Sequence, residues 1–600
     1  MHPGALHKQS DLDRMRLMVK AGVEPYASAF QALSMNARAS FDYVVRGDPT
    51  QTVVDREGTN GPEFEADANA AYMNALMWAV TGDERHAQKC VEIFNAWRNV
   101  TDVAGGGTEA LNAGLFAWKL LEAAELIKST YTGWSADDLK AFSDMLVYPG
   151  YSSSAVPSSL SATHGSFYWR IYRGDPGRHG NQDLIAWRAM ITMGVFLDNR
   201  KMFERALRYF EGLPHPSDDL AYASGPPATG TQSADNDYFT TYQVGATGSD
   251  QADYGYNGVL GNYVWESGQS QESSRDQQHA FFGLGICAGI AEVAWNQGDA
   301  VYNSLDYRLL KGFEYMARYN ASLLQSFPDQ TTPWEPSGAD FIQRLDRTGR
   351  WFSKRINPYF ETDFTTLSRG DFPGKRPVFE QPLAHYRQRM GLEDGTLWTA
   401  RARDVAIDKG GLENAGWSLD HPGWGALTFR RPTWAAGDPI SGFADGQPVF
   451  KVPELPGELR AVHYDHFPIS GESHTYHDTT PGNAGAEYRD DDVDISCGAD
   501  GYVVTEIAAG EWLSYTISVP AAEYYAVSVR YAASADGGSL HLAAAGVDVT
   551  PDIMLPSTGG ALTQLALGQA KLEAGVQTLR VYFSGTPGGV ELASIAVAAP

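Results

Sequence analysis

Four short stretches carry side chains able to move protons or hold an anion. The first, ESSRDQQHAFFG, occupies residues 272–283. From Glu272 to His279 it sets two acids, an arginine, two glutamines and a histidine just ahead of Ala280, Phe281, Phe282, Leu284 and Ile286. A helix starting near Ser273 or Ser274 puts Arg275 and His279 at i and i+4, on one face. Taken singly, each residue has a structural reading. A serine caps the helix, Glu272 and Asp276 suit its positive end, Arg275 pairs with one of those acids, and His279 is a core histidine. The second stretch, GRHGNQDLIAWRAM, places Asn181 and Gln182 at another helix start, where asparagine is usually a cap. The third, AHYRQR, sets His385 beside Tyr386 among basic residues. The fourth, QRLDRTGRWFSKR, holds Arg344, Arg347, Arg350, Lys354 and Arg355, interleaved with Trp351 and Phe352. It reads either as a solvated loop or as a groove for an anionic, ring-containing polymer, with cations for carboxylates and aromatics for sugar faces.

Helices must position these residues. Trp187, Met190, Ile191, Gly194 and Leu197 fall on one helical face. LNAGLFAWKLLEAAELIK repeats the pattern through Leu111, Leu115, Trp118 and Leu121 or Glu122. AYMNALMWAV, TGDE and RHAQKCVEIFNAW read as helix, turn, helix. Recurring amphipathic hairpins without a heptad predict a ring or solenoid of helix pairs over the first ~390 residues, with function in the loops at one end. Near residue 417 the texture changes. WSLDHPGWGALTFRRPTW reads as a terminal strand or two, and a Pro/Gly-rich connection follows. From about residue 458 the alternation is that of strands. Leu513, Tyr515, Ile517 and Val519 share one face, as do Tyr525, Val527, Val529 and Tyr531, which predicts a β-sandwich. The expected divisions are 1–432, 433–457 and 458–600.

The 600 residues exceed one ordinary core, and 43% hydrophobic with 20% charged residues is a globular composition. A formal charge of −27 argues against nucleic acid as a partner, yet leaves room for a locally basic cleft and an anionic substrate. No stretch is long and apolar enough to span a membrane. MHPGALHKQS lacks the apolar centre of a signal peptide. Cys90, Cys287 and Cys497 give neither a disulfide framework nor metal-ligand spacing, and read as small buried hydrophobes.

ESSRDQQH, with EVAWNQGDAVYNSLDYRLLKGFEYMARYN, HPGALHKQSDLDRM, GNQDLIAWRAMITMGVFLDN and RPVFEQPLAHYRQRMGLE, resembles the alginate-lyase superfamily of polysaccharide lyases over roughly residues 2–430. The nearest likeness is to the family acting on alginate and β-1,4-glucuronan. The resemblance implies an (α/α) toroid with a few terminal strands, a secreted or periplasmic location, and a uronic-acid polymer cleaved by β-elimination. YHDTTPGNAGAEYRDDDVDI and AAGEWLSYTISV resemble family 6 carbohydrate-binding modules. Those relatives carry an early acidic pair tied to calcium, where this chain has Arg460 and Val462. The run Asp490–Asp492 with Asp494 reads more readily as a solvated turn than as a calcium site. Tyr488 is the expected stacking residue of that module.

Elimination needs a group to quiet the sugar carboxylate, a base for the C5 proton and an acid for O4. No cofactor or metal is required. The resemblance implies Asn181 as the carboxylate neutraliser, helped by Gln182, and His279 as the base. Arg275 either shares the neutralising role or holds an acid that orients His279. Tyr386 is the candidate acid, with His385 as its competitor and Tyr359 as a rival. Arg344, Arg350, Arg355 and Trp351 would line the substrate groove. Two other classes stand beside this one. A glycoside hydrolase would use Glu65 or Asp67 with Glu272 or Asp276; a non-catalytic glycan binder would hold polymer without shortening it.

Overall fold

The computed structural model describes residues 2–20, 22–147, 166–172, 174, 180–222, 258–270, 272–273, 277–336, 377–412, 419–431, 443–444, 447–448, 453–466, 471–489, 491–498, 501–585 and 589–599. The chain forms two compact units, Met1–Met15 with Val23–Arg430, and Arg16–Gly22 with Arg431–Pro600.

The helices in chain order are α1 (Gln9–Lys20), α2 (Tyr26–Ser34), α3 (Gly61–Thr81), α4 (Glu84–Trp97), α5 (Glu109–Thr130), α6 (Ala136–Leu146), α7 (Phe167–Tyr172), α8 (Gly180–Phe196), α9 (Arg200–Phe210), α10 (Leu260–Tyr263), α11 (Gln277–Asn296) and α12 (Ser304–Leu324). They continue with α13 (Glu380–Pro382), extended by a π-helical turn over Leu383–Arg389, then α14 (Leu397–Gly410) and α15 (Gly425–Thr428). Local chemistry sets several boundaries. Gly82, at φ +69°, ends α3 in a conformation only glycine adopts freely, and the Asp83 side chain then accepts from Arg85 N to open α4. Ser135 and Asn199 cap α6 and α9 in the same way.

Four long, mostly buried helices run side by side in one direction. Phe64 packs on Phe116 near the starts of α3 and α5, Lys119 bonds Asn69 further along, and Trp78 bonds Thr130 at their ends. A Cβ on Gly114 of α5 would lie 2.4 Å from Ile185 of α8, so glycine permits that close approach, and Thr192 meets Glu122 two turns later. Gly289 of α11 faces Arg188 of α8. The α13 segment continues the succession beside α11, through Phe281 with Phe379, Gln381 with the Ala288 carbonyl, and Arg389 with Glu292. Helix α4 packs back on α3, and α9 on α8. The N-terminal ends of α3, α5, α8, α11 and α13 therefore lie at one end of the first unit.

Two expectations change. Residues 419–424 are irregular, and Gly425–Thr428 form a helix where a strand was expected. The carbonyls that a strand would pair are taken by side chains: Trp118 Nε1 donates to Leu419 O, Arg188 Nη1 to Asp420 O and Lys119 Nζ to His421 O. Cys90 and Cys287 are buried as expected, but Cys497 is exposed.

The second unit is a β-sandwich. Its strands are β1 (Gly457–Arg460), β2 (Tyr476–His477), β3 (Ile495–Gly498), β4 (Gly501–Val504), β5 (Trp512–Val519), β6 (Glu523–Ala533), β7 (Gly538–Ala544), β8 (Val547–Asp548), β9 (Ile553–Leu555), β10 (Thr563–Leu572), β11 (Gly575–Gly585) and β12 (Val590–Ala598). One sheet has the order β10-β6-β12-β4-β3, with β1 also on β12; the other has β8-β7-β11-β5-β2, with β9 on β7. Leu513, Tyr515, Ile517 and Val519 point into the core, as do Tyr525, Val527, Val529 and Tyr531. Each such burial contributes roughly 1.5–3 kcal/mol. The expected alternation is thus the one that folds.

Asp67 of α3 is a structural carboxylate. It is fully buried and accepts from Tyr43 OH at 2.8 Å, Gly47 N at 2.9 Å, Trp97 Nε1 at 2.8 Å and Arg46 N at 3.1 Å. Those donors consume the lone pairs that a hydrolytic carboxylate would need. Asp67→Ala is expected to lower stability by about 3 kcal/mol or more, because four donors lose their acceptor. Urea unfolding checks this, and a loss below about 1 kcal/mol would contradict it.

Candidate active site

The site is built where the parallel helices begin. Helix α8 starts at Gly180, so Asn181 sits inside its first turn rather than at the cap. It is 1% exposed, yet neither its amide oxygen nor its amide nitrogen has a hydrogen-bond partner. The capping expectation therefore fails at Asn181. Gln182 Oε1 is likewise buried without a partner. The turn is held by Asp183 instead, which accepts from Tyr209 OH, from Trp187 Nε1 at 3.1 Å and from Gly258 N at 3.1 Å. A buried polar group without a partner costs about 1–3 kcal/mol, so an amide kept in this state is suited to a ligand that completes it.

Along the same face, a buried polar layer joins α3, α5, α8 and residues 419–421. Lys119 donates to Asn69 Oδ1 and His421 O, both at 2.8 Å. Burial, with Arg188's charge adding to it, brings its ammonium down to about 7. Arg188 lies flat on Trp118, its guanidinium carbon 3.7 Å from the ring centroid, and burial lowers it to about 9. Glu122 accepts from Leu6 N at 3.0 Å and Thr192 Oγ1 at 3.2 Å, and burial pushes it up to about 8. Lys119 and Arg188 escaped the sequence reading because each stands within an apolar helical run. A cation in the middle of such a run was the available signal.

Helix α11 opens at Gln277, and Ser273 lies in a turn before it. Gln277 is locked by Ser273 O at 3.0 Å and by Asn320 Nδ2 at 2.8 Å. His279 follows in the first turn, half-buried, its carbonyl accepting from Tyr263 OH at 3.2 Å. Glu272 is buried. Arg188 Cδ would lie 3.3 Å from a Cβ on Gly289, which sets the register between α8 and α11. At ~1.5 Å per residue back from that contact, the backbones of Asn181 and His279 are offset by roughly 4–8 Å along the helix axes, toward the same end of α8 and α11.

The third cluster is placed differently. His385 is fully buried, stacked on Tyr302 with centroids 3.9 Å apart and edge-on to Trp295. Tyr386 is also fully buried; its hydroxyl donates to Tyr302 O at 2.7 Å, and burial holds its phenol well above the ordinary range. Both act here as packing residues between α11, α12 and α13. Arg275, Asp276, Arg344, Arg350, Trp351, Arg355 and Tyr359 lie outside the described residues. In the sandwich, Tyr488 is half-buried, with its hydroxyl 2.8 Å from His463 Nε2 and its ring against Tyr502. The acids near it are engaged by protein donors: Asp491 by Arg489 and Tyr464, Asp492 by Gly482 N and Tyr476, Asp494 by Ala484 N. Asp490 lies outside the described residues.

Residues 25–214 match the family model described as alginate lyase, and this span includes Asn181 and Arg188. Residues 489–595 match the one described as carbohydrate binding module (family 35). The chain thus carries an alginate-lyase domain match in its helical unit and a carbohydrate-binding-module match in its β unit. The family-model match of the β unit is to family 35, and the solved structures similar to it include the family 6 modules expected from the sequence. No curated protein matches the chain. Similar solved structures include the CBM6cm-2 module of Cellvibrio mixtus lichenase 5A, at 22% identity over 24% of this chain and 98% of that one, with a TM-score of 0.18. A family 35 module from Clostridium thermocellum is 22% identical over 16% of this chain and 79% of that one, with a TM-score of 0.15. The C-terminal CBM6 of LamC from Zobellia galactanivorans is 25% identical over 20% and 100%, with a TM-score of 0.17.

Two predictions follow from these placements. Glu122 is raised from 4.5 to about 8, so the stability tied to its proton is full below pH 4.5 and is lost as pH rises to 8. Relative to Glu122→Gln, the wild type is expected to lose at least about 1 kcal/mol between about pH 5 and pH 8; urea unfolding giving a constant difference would contradict the burial-driven shift. Tyr386→Phe is expected to cost about 1–2 kcal/mol through the stranded Tyr302 carbonyl, while kcat/KM on a uronate polymer stays within about threefold of wild type. A drop of about a hundredfold or more in a folded variant would return Tyr386 to the chemistry.

Proposed function

We propose that this protein cleaves a β-1,4-linked uronate polymer, glucuronan or mannuronate-rich alginate, by β-elimination. One observation carries the reading: a buried amide, Asn181, with neither polar atom satisfied, lies inside the alginate-lyase match at the end of the unit where parallel helices begin. We read the first unit as an (α/α) toroid. The succession α3, α5, α8, α11 and α13 leads on through α15 and α2 back to α3, which supports a closed ring.

In this mechanism Asn181 donates to the carboxylate of the sugar whose C5 proton is removed. Charge that develops as the C5–H bond breaks is then stabilised where it forms. Helix N-termini gathered at that end add partial positive charge. His279 takes the C5 proton, the electron pair forms the C4=C5 double bond, and the C4–O4 bond breaks. On D-mannuronate and D-glucuronate, C5–H and O4 lie on the same side of the ring, so one imidazole serves first as base and then returns the proton to O4. The family 35 match supports glycan attachment by the β unit, and the two glycan-directed domains together support a secreted or periplasmic location.

Digestion of glucuronan, polymannuronate, polyguluronate and pectate, followed by the ultraviolet absorbance of the unsaturated uronate, tests the reaction. Asn181→Ala and His279→Ala are each expected to lower turnover by ~10²-fold or more with folding intact. Chain shortening without that absorbance would indicate hydrolysis; near-normal rates in either variant would remove that residue from the mechanism.

A further inference from the structure

The mechanism above makes no use of Arg188, a buried cation of α8. Arg188 is 2% exposed, and two of its nitrogens, Nε and Nη2, are buried with no hydrogen-bond partner. The rest of the group is fixed. Nη1 donates to Asp420 O at 2.9 Å, Trp118 covers one guanidinium face, and its stem passes Gly289 of α11. What remains is the Nε/Nη2 edge, the side-on fork whose two parallel donors match a carboxylate. Arg188 stands at i+7 from Asn181, so the two share one face of α8, ~10.5 Å apart at the backbone. Helical side chains lean toward the N-terminus, the end of α8 at which Asn181 stands. Two unsatisfied donor groups thus stand in series on one face, on a chain of formal charge −27. Burial lowers Arg188 to about 9 against the opposing pull of the Asp420 and Glu122 carboxylates, neither of which bonds the Nε/Nη2 edge.

We propose that Arg188 is a substrate-binding residue, its Nε/Nη2 edge gripping a uronate carboxylate beside Asn181 and giving the site its preference for the free acid over neutral sugars. This rests on the uronate-lyase reading. An arginine whose fork merely ties helices together would respond to substitution in the same way whatever the substrate. A carboxylate ligand makes the response depend on the substrate's charge.

The test compares wild type, Arg188→Gln and Arg188→Lys, as full chains, on glucuronan and polymannuronate and on their methyl esters, with thermal melts confirming folding. Arg188→Gln is expected to lower kcat/KM on the free acids about 10- to 100-fold, the loss of a charge-assisted bidentate contact, and to differ from wild type by less than about threefold on the esters. Arg188→Lys, which keeps the charge but not the fork, is expected to fall between the two on the acids, and it carries the test if Arg188→Gln does not fold. Equal losses on acid and ester, or no loss on the acid, overturn the proposal while leaving the lyase reading intact. A wild type that forms unsaturated product from neither acid overturns both.

Discussion

A buried hydrogen-bonding group must find a partner or destabilise the fold, and the helical unit is organised around that constraint. Parallel helices close enough for Gly114 to meet Ile185 leave little room for water between them. The polar side chains they enclose are satisfied by a stretch of chain that has given up regular structure. Three successive carbonyls, at Leu419, Asp420 and His421, receive Trp118, Arg188 and Lys119. Asp67 answers four donors in the same spirit. Asn181 departs from this economy with both of its amide atoms, and Gln182 Oε1 and the Nε and Nη2 of Arg188 are unpaired on the same helix.

The electrostatics point the same way. The chain as a whole is strongly acidic, but Lys119 and Arg188 lie in the helical interior, where burial lowers both and the charge of Arg188 lowers Lys119 further. Glu122 is pushed toward its neutral form by the same burial. Burial thus disfavours charge on all three groups, so each gains from a partner of opposite charge.

Much of this was legible in the sequence, for physical reasons that can be named. The helix–turn–helix at AYMNALMWAV–TGDE–RHAQKCVEIFNAW follows from apolar spacing and a Gly-Asp break, and α3 and α4 form there. Period-two alternation at Leu513–Val519 and Tyr525–Tyr531 becomes the sandwich core. Residues 419–431 were misread because their apolar pattern suits a strand, while their conformation is set by side chains hundreds of residues away. His385 and Tyr386 looked chemical because they are adjacent and flanked by arginines, but tertiary packing buries both against Tyr302. Asn181 was found by family likeness; its unsatisfied amide is a property of three-dimensional packing that no local pattern encodes.

The most direct test is a crystal structure of the full chain carrying His279→Ala, soaked with a glucuronate or mannuronate tetrasaccharide. The account places one sugar carboxylate within hydrogen-bond distance of Asn181 Nδ2, with C5 of that sugar facing the space vacated by the imidazole. A tetrasaccharide seated elsewhere on the helical unit, with Asn181 still unpartnered, would contradict it.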